Sequence, residues 1–93
     1  METIHRIFKY KLDLTGVQLI SLPKDAKILS IQNQNGELVL WALIDEDQDK
    51  QDVKNIFIYG TGNAIPDVEK LKYLETVQTS SFLVFHIFEK IIE

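Results

Sequence analysis

Two histidines, a run of aspartates and one glycine-rich turn are the residues of this 93-residue chain whose types and spacing bear on chemistry. Asp45, Asp47 and Asp49 repeat the alternating carboxylates that open a calcium-binding loop. Such a loop also needs a glycine at its centre for the sharp turn and a bidentate glutamate at its close. Lys50 and Ile56 stand at those places, so the segment reads as a solvated acidic loop and no metal is expected. The chemistry left to it is to present negative charge to a basic surface, with Asp45, Glu46, Asp47, Asp49 and Asp52 as the candidate partner-binding residues.

Gly60-Thr61-Gly62-Asn63 follows a run of strand formers, where consecutive backbone amides can cradle an anion. The segment lacks the third glycine and following helix of a dinucleotide fingerprint, and the lysine of a phosphate-binding loop. It reads first as a glycine-driven turn. Its second reading is a ligand-binding loop of Tyr59, Gly60, Thr61, Gly62 and Asn63, with Thr61 and Asn63 holding an anionic group and Tyr59 stacking on a base. His86, set between Val84 and Phe88 on an apolar run, reads as a buried, hydrogen-bonded core histidine. His5 has no carboxylates at metal-ligand spacing. The chain has no cysteine, and no serine, histidine and acid stand in a nucleophile motif. No catalytic residue and no cofactor are expected, and the chain is read as a non-enzyme.

The formal charge of −4 is concentrated in one place. Residues 45–52 (DEDQDKQD) hold five carboxylates and one lysine, and the other nine acids and nine bases cancel. A polyanion is repelled there and attracted nowhere in particular, so nucleic acid is not an expected partner. The opening METIHRIFKYKLD alternates charged and apolar residues, unlike a signal peptide, and no apolar run is long enough to span a bilayer. A cytoplasmic protein is the resulting expectation. A chain this short makes one domain, residues 1–93, and buries only roughly 60–65% of its unfolded surface. With no disulfide or thiolate metal site to add to that core, a second copy of the chain is a natural source of stability.

The elements that position these residues read as strands. Ile4, Phe8, Tyr10 and Leu12 alternate with His5, Ile7, Lys9 and Lys11, the period of a half-buried strand. Leu14-Thr15-Gly16 turns the chain into Val17–Leu22, and Pro23-Lys24-Asp25-Ala26 turns it again. Asn35-Gly36 between apolar runs is the preferred two-residue hairpin turn. It sets Gln34 against Glu37, and a regular ladder then places Ile31 opposite Leu40, Ser30 opposite Trp41, Leu29 opposite Ala42 and Ile28 opposite Leu43. Val53–Tyr59 is a further strand. Helix and strand compete for residues 66–74, with Pro66 suited to open a short helical turn. Tyr73–Gln78 and Phe82–Glu89 form a last hairpin around Thr79-Ser80-Ser81. The class is all-β with at most one short helical turn: six to seven short antiparallel strands in a small sandwich or barrel.

Two strands are apolar on both faces. Leu38, Leu40, Ala42 and Ile44 share one parity, and Val39, Trp41 and Leu43 the other. Phe82, Val84, His86 and Phe88 alternate in the same way with Leu83, Phe85 and Ile87. A half-solvated sheet does not have such strands, so either a segment of the chain or another subunit covers the second face. Oligomerisation, most simply a two-fold dimer, is the preferred reading. Val39, Trp41, Leu43, Phe82, Val84 and Phe88 are the candidate interface residues.

The order of these blocks, IFKYKL, then AKILSIQNQNGELVLWALID, then IFIYGTGNAIP and SFLVFHIFE, resembles a family of small uncharacterised proteins encoded by tailed bacteriophages and prophages. The resemblance covers nearly the whole chain. It implies a phage origin and the cytoplasm of an infected bacterium, and it brings no catalytic residues. The family's glycine loop carries a histidine-proline pair where this chain has Asn63-Ala64. Three functions are therefore expected in order: an oligomeric, non-enzymatic protein that binds a host protein, for instance to inhibit a bacterial defence; a binder or sponge for a small anionic ligand such as a signalling nucleotide; and a virion or assembly accessory protein.

Overall fold

The computed structural model describes residues 3–14, 16–79 and 81–91, which contain seven strands. Antiparallel β1 (His5–Leu12), β4 (Glu37–Asp45) and β3 (Lys27–Gln34) form a three-stranded sheet in that order. A four-stranded antiparallel sheet is ordered β2 (Val17–Pro23), β5 (Gln51–Gly60), β7 (Val84–Lys90), β6 (Leu71–Gln78). Of the two architectures that the sequence allows, this is the sandwich. Its shortest Cα extent is 15 Å, which fits two layers about 10 Å apart. The contested residues 66–74 contain both forms, a 3-10 turn at Val68–Lys70 followed directly by β6. Residues Thr15 and Ser80, expected in turns, lie outside the described residues.

The chain passes back and forth between the sheets, so only β3–β4 and β6–β7 are hairpins of neighbouring strands. β1 pairs with β4, β2 with β5 and β5 with β7 across long stretches of sequence. This explains the doubly apolar strands: β4 lies at the centre of one sheet and β7 in the interior of the other. Leu38, Leu40, Ala42 and Ile44 of β4 join Leu12 and Ile31 as one wall of the core, and Ile56, Ile58, Val77 and Ile87 form the other. Tyr10 packs against this cluster, and burial pushes its hydroxyl pKa above the usual 10.0. Arg6, which interrupts the apolar parity of β1, stays at the margin and pairs with Glu46 at 2.5 Å.

Asn35 and Gly36 have φ of 52° and 87°, the two positive values of the expected hairpin turn. The register is as expected from Gln34↔Glu37 through Ile31↔Leu40 to Ser30↔Trp41 and then departs from it. A bulge at Leu29 sets Ile28 opposite Ala42 and Lys27 opposite Leu43, in place of Leu29 and Ile28. The physical reason is the side chain that each register would turn inward. A regular ladder would point Lys27 to the core and Ile28 to water, and the extra residue reverses both. Leu29 is left 43% exposed. Ile28→Ala is accordingly expected to cost about 1–3 kcal/mol and Leu29→Ala less than about 1 kcal/mol. Urea unfolding of the two variants checks this, and an equal or reversed order of midpoints would contradict the bulged register.

The last hairpin differs as well. β6 begins at Leu71 rather than Tyr73, and it carries a second bulge, at Leu74. Phe82 is not in a strand. Its φ of 66° makes it part of the turn, and β7 begins at Val84. No helix among the described residues is long and apolar enough to cross a membrane.

Candidate binding surfaces

The glycine loop is held from within. Gly62 turns the chain at φ 92°, a conformation open to glycine and costly for other residues. The Thr61 amide donates to the Val84 carbonyl at 3.2 Å and the Asn63 amide to the Gly60 carbonyl at 3.1 Å. Two of the amides that would cradle an anion are thus already committed to backbone. The Asn63 amide group folds back over Gly60, where its Nδ2 lies 3.1 Å from the position a Cβ would take. Of the candidate ligand residues, Tyr59 stands apart from this turn in a row of aromatic rings.

His86 is hydrogen-bonded as expected, but it is not in the core. It lies on the outer face of the four-stranded sheet, because the inward parity of β7 belongs to Phe85 and Ile87. Its Nε2 is 2.7 Å from Thr61 Oγ1, its Nδ1 is 3.0 Å from Thr76 Oγ1, and Thr76 Oγ1 is 2.6 Å from the Tyr73 hydroxyl. Thr61 Oγ1 also donates to the Val84 carbonyl at 3.4 Å. One direction of donation serves every member: Tyr73 to Thr76, Thr76 to Nδ1, Nε2–H to Thr61, and Thr61 to the carbonyl. That direction assigns the neutral tautomer protonated at Nε2. With both ring nitrogens engaged, the imidazole acts as a strut that ties the glycine loop to β6 and β7.

Around this strut lies an aromatic row. Phe57 and Tyr59 stack at 6.4 Å between centroids, and Phe88 meets Tyr59 and Tyr73 edge-on at 6.0 and 5.7 Å. Register extends the same face to Val17, Leu19 and Ser21 on β2, to Val53 and Asn55 on β5, and to Thr76, Gln78 and Val84. None of these side chains carries a formal charge. Val17, Leu19, Val53 and Tyr73 are each more than half exposed, and Phe82 and Leu83 beside the face are 81% and 58% exposed.

The six candidate interface residues therefore fall on different surfaces. Val84 and Phe88 belong to this outer face, and Phe82 stands at its end in the turn. Val39, Trp41 and Leu43 lie on the outer face of the other sheet, opposite Lys11, Lys9 and Ile7 of β1. There the chain supplies much of its own cover. Lys9 Nζ sits 5.8 Å from the Trp41 ring centre and donates to Gln34 Oε1 at 3.1 Å. Val39, between Lys11 and Gln32 in the ladders, is only 2% exposed. Long polar side chains laying their aliphatic stems on a sheet produce this cover.

The acidic loop is partly committed too. Asp45 accepts the Asp47 amide at 2.9 Å, Glu46 pairs with Arg6, and Asp52 is half-buried in β5. Asp47 and Asp49 remain as exposed carboxylates without an ion pair among the described residues.

Sequence reasoning missed Leu19, Val53, Phe57 and Tyr73 as members of one surface. A signal was present in VKNIFIY, where Val53, Phe57 and Tyr59 share one parity while Ile56 and Ile58 share the other, making β5 a third strand with two apolar faces. Against known proteins, a family model described as "Domain of unknown function (DUF7352)" matches residues 3–93. No curated protein and no solved structure matches the chain.

Proposed function

We propose, from the premise that the chain belongs to the DUF7352 family of domains of unknown function, that it is a non-enzymatic binding protein that works as a homo-oligomer. The observation that carries this reading is the uncharged outer face of the four-stranded sheet, built from Phe57, Tyr59, Tyr73 and Phe88 and extended by exposed Val17, Leu19 and Val53. Exposed apolar surfaces of this kind mark interaction sites, and aromatic residues supply much of the energy of such sites. A second copy of the chain laid on this face is the simplest occupant. The non-enzymatic part rests on the absence of a nucleophile motif in the sequence and on the engagement of both nitrogens of His86.

The oligomer presents its acidic loops to a host protein. With the resemblance to phage and prophage proteins, the reading becomes that of a phage product in the bacterial cytoplasm that inhibits a host defence. Asp47 and Asp49 are the carboxylates free to meet a basic partner. The double variant Asp47→Asn, Asp49→Asn is expected to slow capture of that partner about tenfold at low salt and to flatten the salt dependence. The check is quantitative pull-down from infected-cell lysate across a salt series. A stoichiometric host protein held by the wild type and weakened by the variant is the expected result. Equal capture at every salt concentration removes the electrostatic part of the reading, and recovery of the chain in purified particles favours a virion role.

A further inference from the structure

The largest recess of the molecule lies neither at the glycine loop nor on the aromatic face. It opens at the seam between the sheets, where edge strands β3 and β6 approach each other, and has a volume of about 400 Å³. We propose that this seam binds a phosphorylated small molecule of about mononucleotide size, a site independent of the oligomer interface.

Three observations converge on it. First, both bulges of the fold, at Leu29 and at Leu74, lie in its walls. Bulges recur at sheet edges beside binding sites because they re-aim side chains and bend the strand. Here one sits on each strand of the seam. Second, the charge is selective. Lys27, Lys54 and Lys72 line the recess against a single carboxylate, Glu89, and a contiguous recess of about 220 Å³ adds Lys90. Four of the ten basic residues of a chain with net charge −4 thus gather at this seam.

Third, the carboxylate is already engaged. Glu89 Oε2 lies 3.4 Å from Lys54 Nζ, with both side chains largely removed from solvent. Lys27, Lys72 and Lys90 have no ion-pair partner among the described residues. Several separate ammonium groups suit an anion of more than one charge, as a phosphate monoester is near neutrality. Ala26, Ile28, Ile31 and Leu74 offer an apolar wall for the body of the same molecule, the mixture of apolar lining and few polar groups that ligand sites show.

Titration calorimetry with adenosine 5′-monophosphate and pyrophosphate, with adenosine as the uncharged control, tests the proposal. The two phosphates are expected to bind with dissociation constants below about 1 mM and adenosine not to bind, since charge-assisted contacts carry the affinity. Lys54→Gln with Lys72→Gln should weaken binding at least tenfold. Glu89→Gln, which frees Lys54 and removes the one repelling charge, should strengthen it several-fold. Thermal melts of each variant separate a lost site from a lost fold, and Lys72→Gln alone, at an exposed position, serves if the double variant unfolds. Silence with both phosphates, equal binding of adenosine, or binding indifferent to these variants in a folded protein overturns it.

Discussion

Alanine at Leu40 is expected to destabilise the domain by about 3–5 kcal/mol. Leu40 is 0% exposed at the centre of β4, with Tyr10 as its cross-strand partner on one side and Ile31 on the other. Removing its side chain takes contacts from both neighbouring strands of the sheet and from the facing sheet at once. A small domain has about 5–15 kcal/mol in total, and this one has no disulfide to fall back on. Urea unfolding should show a midpoint lowered by half or so with an unchanged slope. A loss below about 1 kcal/mol would place the core elsewhere than between β4 and the β5–β7 pair.

The course of the chain explains why some of this was legible in the sequence. Local rules operate within a hairpin, so Asn35-Gly36 gives both its turn and the first half of its register. The bulge at Leu29 was not legible, because it is decided by which of Lys27 and Ile28 meets the opposite sheet, a question of tertiary packing. Non-local pairing hid more. Nothing in residues 53–59 says that Phe57 will stand between Val17 and Phe88, so the aromatic face could not be assembled from its strands. The same blindness split the candidate interface, since Trp41 and Phe88 look alike in their patterns yet belong to opposite sheets. His86 was misplaced because parity identifies a face without identifying which face is inward. The charges of the seam come from β3, β5, β6 and β7, and only the fold brings them together.

The second large effect concerns the aromatic face. Leu19→Lys with Tyr73→Lys places two charges at positions 68% and 55% exposed, so the single chain should fold as before. In the oligomer the same two positions face apolar surface, where an unpaired charge is strongly unfavourable. Self-association should weaken at least a hundredfold, about 2.7 kcal/mol or more. Stability then separates the two proteins. For a dimer, a hundredfold rise in concentration should raise the melting temperature of the wild type by roughly 5–10 °C. The variant should melt at one temperature over that range. If both proteins respond alike, the oligomer is built on another surface.

The most direct test of the central claim is sedimentation equilibrium of the wild type beside this double-lysine variant at micromolar concentration. A wild-type mass of twice the 10.8 kDa chain, with the variant at a single chain, is the predicted result. A wild-type protein that stays a single chain at every concentration would contradict the claim that the outer face of the four-stranded sheet exists to be covered by another copy.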